Sequence, residues 1–189
     1  HSLRTKIDAI VVGSETVLID DPLLTARPKG KETDKQLLRI VLDGRGRIPL
    51  TAQVLNESAE TMIVTTAASS QAWQDDIVRS GAELLLVPSS GDRIDLGSLL
   101  DILGKRNIIS VLVEGGGVVL GSFFDHKLVD KLYAVIAPVI VGAASAAIPV
   151  AGDGASRMNE VIQLKDVTTE NLGRDIFISG YPVYKEVGN

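Results

Sequence analysis

Five short apolar runs, the later ones separated by helical spacing, restrict this chain to few folds. They are Ile7–Val12 (IDAIVV), Leu38–Asp43 (LRIVLD), Thr61–Thr66 (TMIVTT), Glu83–Pro88 (ELLLVP) and Ser110–Gly115 (SVLVEG). Each is nearly continuous rather than alternating, as expected of strands covered on both faces. Between them lie QAWQDDIVRS, which Ser69-Ser70 can cap and Gly81 ends, and DLGSLLDILGKRN, which Asp95 can open. Strand and helix in alternation predict an α/β fold with a largely parallel sheet. The last third differs: KLYAVIAPVIV, VIQLKDVTTENL and RDIFISGYPVY read as strands, with a hairpin turn at Asn171-Leu172-Gly173. The prediction is therefore a mostly parallel sheet with an antiparallel C-terminal edge. The polar stretch from Ala26 to Gln36 reads as an exposed loop.

A length of 189 residues favours one domain over 1–189, and 45% hydrophobic with 23% charged residues is an ordinary globular balance. A net charge of −5 without basic clusters argues against a nucleic-acid partner. The absence of cysteine excludes disulfides, thiolate metal sites, thiol nucleophiles and the cysteine-ligated zinc of nucleobase deaminases. The opening HSLRTKIDAI has no apolar core of a signal peptide. Tyr133 to Gly152 runs twenty residues without a charge, the length of a bilayer span. Pro138, Pro149, Gly142 and the Ala/Ser middle favour instead a buried strand, Tyr133 to Val141, entering a loop. The expectation is a soluble, cytoplasmic protein with no membrane partner.

The least ordinary stretch is SVLVEGGGVVLGSFF, residues 110 to 124, where a strand meets Glu114 and three glycines, Gly115 to Gly117. Helical spacing follows through Val118, Leu120, Phe123 or Phe124, and Leu128. A strand–glycine–helix junction aims free N–H groups and the positive helix end at whatever lies beyond the sheet edge, which suits a pyrophosphate. The pattern is neither the dinucleotide fingerprint nor a Walker loop, since Leu120 stands in the last glycine's place and no Gly-Lys-Ser/Thr occurs. A tight packing turn remains the alternative reading. Glu114 would repel phosphate, so it suits a hydrogen-bond donor such as the N–H edge of a heterocycle. A capping or surface carboxylate is its plain alternative.

The second dense stretch is VVGSETVLIDDPLLTARP, Val11 to Pro28, with Thr16, Asp20, Asp21, Leu24 and Arg27. Asp-Asp-Pro reads first as a turn. Together, DAIVVGSETVLIDDPLLTAR, LRIVLDGRGRIP, VLVEGGGVVLGSF, APVIVG and ISGYP resemble the riboflavin-biosynthesis reductase domain in content, order and spacing, from Arg4 to Tyr184. That domain is often the C-terminal half of a bifunctional deaminase–reductase.

The resemblance implies a dihydrofolate-reductase-like three-layer fold and an NADPH-dependent oxidoreductase. Its reaction would reduce the ribosyl group of a 5-phosphorylated ribosylaminopyrimidine to the ribityl form. Family contacts to cofactor fall on Thr16, Asp20, Gly44, Gly116, Gly117, Val118, Val119, Leu120, Gly121 and Ser122. Substrate contacts fall on Leu24, Arg27 and Glu114, with Asp20 and Glu114 the polar groups nearest the chemistry. No metal is implied; a homodimer and a fused or associated deaminase are. Thr65, Thr66 and Arg45 are candidates for a cofactor 2′-phosphate, while His126, late in its helix, reads as solvated or dipole-compensating. Two departures stand out. Relatives carry a first strand and a Ser/Trp/Arg-containing stretch upstream of the helix in which this sequence opens at HSLR, and Gly44 stands where a hydroxyl is common. The alternative is a nucleotide-binding or structural companion of a deaminase, without turnover.

Overall fold

The computed structural model describes residues 1–31, 33, 36–143 and 146–185. Glu32, Asp34 and Lys35, part of the predicted polar loop, lie outside them. The chain forms two compact units, His1–Val119 and Leu120–Asn189.

The first unit is built on five parallel strands: β1 (Ala9–Gly13), β2 (Leu38–Leu42), β3 (Thr61–Thr65), β4 (Glu83–Leu86) and, after the two-residue strands β5 (Ser89–Ser90) and β6 (Arg93–Ile94), β7 (Val111–Val113). Their order across the sheet is β4-β3-β2-β1-β7, so the chain walks outward from β1 and then crosses back to its other side. Every residue of β1 and β3 is buried, which is why both read as continuous apolar runs. Asp8 locks the crossing: its Oδ2 accepts from the amides of Ile109 (3.1 Å) and Ser110 (3.0 Å) and from the Ser110 hydroxyl (2.8 Å). This pins the start of β7 beside β1, where Val11 faces Ile40 on one side and Val113 on the other.

The predicted caps hold. Helix α2 (Gln71–Arg79), preceded by the short α1 (Ser14–Asp20), is capped by Ser70, whose hydroxyl accepts from Trp73 N–H at 3.3 Å. Helix α3 (Leu96–Lys105) is capped by Asp95, which accepts from Ser98 N–H at 2.7 Å. The core gathers Ile10, Val12, Val41, Ile63 and Ile77, with Trp73 half-buried against it. Two local differences from the sequence reading appear here. Residues 14–20, to which the sequence reading assigns no element beyond the turn at Asp20-Asp21-Pro22, form α1, and the opening residues form only a 3₁₀ turn over Arg4–Lys6.

Helix α4 (Gly117–Asp125) leads into the second unit, a three-stranded antiparallel sheet of order β8-β10-β9. Its strands are β8 (Leu132–Ile136), β9 (Gln163–Leu172) and β10 (Asp175–Val183). The antiparallel strands thus form a sheet of their own, with the predicted hairpin closed at positive-φ Gly173. The predicted strand to Val141 stops at Ile136, ahead of Pro138, which restricts the residue before it and has no N–H to donate. Val139, Ile140 and Val141 are exposed rather than buried. No described helix is long and apolar enough to cross a membrane. His126 bonds through Nδ1 to the Ser122 carbonyl at 2.8 Å, just past the end of α4.

Candidate active site

Three loops at the carboxyl ends of β1, β2 and β7 hold the candidate residues of the first unit, the usual ligand side of a parallel sheet. The turn after β7 is tight. A Cβ on Gly115 would lie 2.9 Å from Val12 Cβ and 3.0 Å from Thr16 Oγ1, closer than real side chains approach. Gly116 adopts φ +68°, and its Cβ would meet Thr16 Oγ1 at 3.3 Å. Thr16 therefore lies directly against the glycine turn, and Asp20 follows one helical turn later on the same side of α1. The bare face of Gly115 is thus taken up by Val12 and Thr16, as in the tight packing turn of the alternative reading, and the turn opens a nine-residue helix with a hydroxyl beside it. Gly115→Ala should cost about 1–3 kcal/mol through overpacking, read as a lowered midpoint in thermal unfolding.

Further along α4, Val118 is exposed, whereas Gly121 and Ser122 are buried. A Cβ on Gly121 would lie 1.8 Å from the Ala151 carbonyl oxygen, so this glycine permits close packing within the second unit. Gly44 is half-buried, and a Cβ there would make only ordinary contact with Ile94 and Thr66. The Thr65 and Thr66 hydroxyls are turned inward, donating to the carbonyls of Asp43 (2.7 Å) and Gly44 (2.8 Å). Arg45 is exposed, 3.7 Å from the Asp92 carboxylate.

The segment from Asp21 to Arg27 is strained and then pinned. Asp21 (φ 40°) and Leu24 (φ 55°) both occupy the left-handed region, and Leu24 does so while buried. Gln53 bonds Asp21 through its own N–H (2.8 Å) and through Nε2 to the Asp21 carbonyl (2.8 Å). Arg39 donates to the Leu23 carbonyl, Arg4 to the Thr25 carbonyl at 2.9 Å, and Gln36 accepts the Ala26 amide at 2.7 Å. Arg27 N–H donates to His1 Nδ1 at 3.1 Å, while its guanidinium has no partner among the described residues. The Thr25 hydroxyl is buried without a partner among the described residues. The result is a stiff backbone presenting the Arg27 cation.

Glu114 is joined to this segment by a residue the sequence did not single out. Arg4 grips its carboxylate with two donors, Nε to Oε1 at 2.9 Å and Nη2 to Oε2, and spends Nη1 on Thr25. Two parallel charge-assisted bonds fix the plane of the Glu114 carboxylate. Arg4 was passed over because a lone arginine near a terminus ordinarily reads as solvated. Arg39 was also missed; it is fully buried with only neutral acceptors, and burial pulls its pKa down to about 10, leaving it charged at neutral pH.

Comparison with known proteins identifies the family. Residues 1–178 match the RibD C-terminal domain model. The chain is 34% identical over 176 residues to riboflavin biosynthesis protein RibD of Actinobacillus pleuropneumoniae, covering 93% of this chain and 46% of that one. It is 36% identical over 168 residues to the 2,5-diamino-6-ribosylamino-4(3H)-pyrimidinone 5′-phosphate reductase of Aquifex aeolicus, covering 87% and 72%. Among solved structures, a diaminohydroxyphosphoribosylaminopyrimidine deaminase/5-amino-6-(5-phosphoribosylamino)uracil reductase of Thermotoga maritima superposes with TM-score 0.75 at 27% identity, over 97% of this chain and 47% of that one. The chain thus spans about half the length of its relatives named RibD. The parallel sheet followed by antiparallel strands is the dihydrofolate-reductase-like arrangement expected, and the chain belongs to the RibD C-terminal domain family.

Proposed function

We propose that this chain reduces the ribosyl group of a 5-phosphorylated ribosylaminopyrimidine to its ribityl form, with NADPH as reductant, in riboflavin biosynthesis. The observation that carries the reading is the pair of unlike anchors: a Glu114 carboxylate fixed by Arg4, and an Arg27 guanidinium with no partner among the described residues, on the pinned segment that Arg4 also holds. A carboxylate suits the N–H groups of an aminopyrimidine, and a free guanidinium suits a phosphate bidentately. One molecule carrying both groups would span them.

NADPH would supply a hydride to the C=N carbon of the ring-opened ribosylamine, the nitrogen taking a proton as the C–H bond forms. The protein's contribution is positional. The glycine turn and Thr16 would hold the pyrophosphate, Glu114 would orient the pyrimidine, and Arg27 would fix the phosphate end, so that donor and acceptor are positioned for transfer. Asp20, exposed at the end of α1, is the carboxylate assigned to relay the proton. We assign the chain to the cytoplasm, as a homodimer burying the exposed Val139 to Val141 run, with a deaminase fused or associated.

The test is loss of reduced-nicotinamide absorbance when the protein, NADPH and the ribosylaminopyrimidine phosphate are mixed. Turnover is expected, and Arg27→Ala should raise the substrate KM about a hundredfold with a smaller change in kcat, the effect of losing charged hydrogen bonds. The second reading is a cofactor-binding companion of a deaminase, without turnover. NADPH binding with no turnover above a protein-free control would select that reading.

A further inference from the structure

Resting on the NADPH reading, we infer that Asp43 is a positioning residue for the cofactor site, acting through Arg47 on the first turn of α1. Asp43 ends the buried run of β2 and is 1% exposed. Its Oδ2 accepts two successive amides, Arg47 N–H at 2.6 Å and Ile48 N–H at 2.8 Å, while its carbonyl accepts Gly46 N–H at 3.3 Å and the Thr65 hydroxyl at 2.7 Å. One side chain thus closes the loop from Gly44 to Ile48. Its other oxygen, Oδ1, is buried with no partner among the described residues. A carboxylate oxygen shared by two successive amides closes a turn more stiffly than a single neutral acceptor does.

What this loop holds rigid is Arg47. Its guanidinium crosses to α1, donating from Nη2 to the buried Ser14 hydroxyl at 2.8 Å and from Nη1 to Glu15 Oε2 at 2.9 Å. The next residue is Thr16, whose Oγ1 touches the glycine turn. Asp43, Arg47, Ser14, Thr16 and Gly115–Gly116 therefore form one chain of contacts within the first unit. It links the loop bearing Gly44, the helix bearing Thr16 and the turn bearing Gly116, the three places assigned to the cofactor. The loop also carries a reporter. Gly46 has φ +70°, and a Cβ there would lie 2.8 Å from the ring of Trp73. Trp73, the chain's one tryptophan, donates from Nε1 to the Ile48 carbonyl at 3.1 Å.

The experiment is titration of the intact chain with NADPH while following Trp73 emission, which overlaps reduced-nicotinamide absorbance, together with thermal unfolding and steady-state kinetics. Wild type should show saturable quenching. Asp43→Asn and Arg47→Gln should each raise the NADPH Kd about tenfold, and the double variant should also stop near tenfold, because both break one link. The kcat at saturating NADPH should stay within about twofold. Arg47→Gln, at an exposed side chain, carries the test if Asp43→Asn does not fold. A lowered unfolding midpoint with unchanged Kd, or independent effects multiplying to about a hundredfold, overturns the positioning role. Absence of quenching and of turnover in wild type overturns the NADPH reading and this inference with it.

Discussion

Glu114→Gln should lower kcat/KM for the ribosylaminopyrimidine phosphate by about a hundredfold or more, while the unfolding midpoint moves little. Glutamine keeps the shape of the side chain but turns one of its two acceptors into a donor. Arg4 presents Nε and Nη2 to the two Glu114 oxygens, so an amide would set N–H against N–H at one of them. The site then loses an acceptor for the pyrimidine and the fork that aims it. Charged hydrogen bonds are worth about 1.5–3 kcal/mol each, and losing two accounts for the expected fall. The stability effect is small because both side chains reach solvent, Arg4 at 15% and Glu114 at 33% exposure, where screening discounts the pair. NADPH quenching of Trp73 serves as the control and should be retained. Kinetics within a fewfold of wild type would remove Glu114 from substrate recognition.

The parallel sheet was legible because a strand buried on both faces leaves a continuous apolar run, as Ala9–Gly13 and Thr61–Thr65 do. Ser70 and Asp95 announced their helices because an N-cap side chain is a local requirement. Helix α1 was not legible: Ser14–Asp20 is two turns long, and the Asp-Asp-Pro after it dominates any local reading. The strand ending at Ile136 was overextended because Pro138 interrupts an apolar run without changing its hydropathy. In the site, Glu114 and the glycines form a contiguous motif and read directly. Arg4 lies 110 positions from its partner, and only the fold brings them together. Asp43 and Arg39 are single charged residues at strand ends, where sequence alone suggests exposure. Their burial is tertiary information.

Arg39→Met should destabilise the protein by about 3–4 kcal/mol, lowering the unfolding midpoint by about 10 °C. Arg39 is 0% exposed and spends four bonds on neutral oxygens: Nη1 on the Leu23 carbonyl (3.2 Å) and Asn56 Oδ1 (2.9 Å), Nη2 on the carbonyls of Asn56 and Ala59. Two opposing effects decide the outcome. Methionine removes a buried cation with no carboxylate beside it and an Nε with no partner, which is favourable. It also strands the carbonyls of Leu23, Asn56 and Ala59, each costing about 1–3 kcal/mol if water does not replace the donor, while Asn56 Oδ1 keeps the Ser58 amide at 3.0 Å. Three such losses outweigh one relieved charge, because the cation's desolvation is already offset by those same bonds. The damage should extend to function. Leu24 is held at φ 55° next to Leu23, and without that anchor the strained backbone can relax, carrying Arg27 out of place. Arg39→Met should therefore raise the substrate KM while leaving the NADPH Kd near wild type, since the Asp43–Arg47 link is untouched. An unchanged or raised midpoint would mean that packing alone fixes the 21–27 segment and that the guanidinium is dispensable.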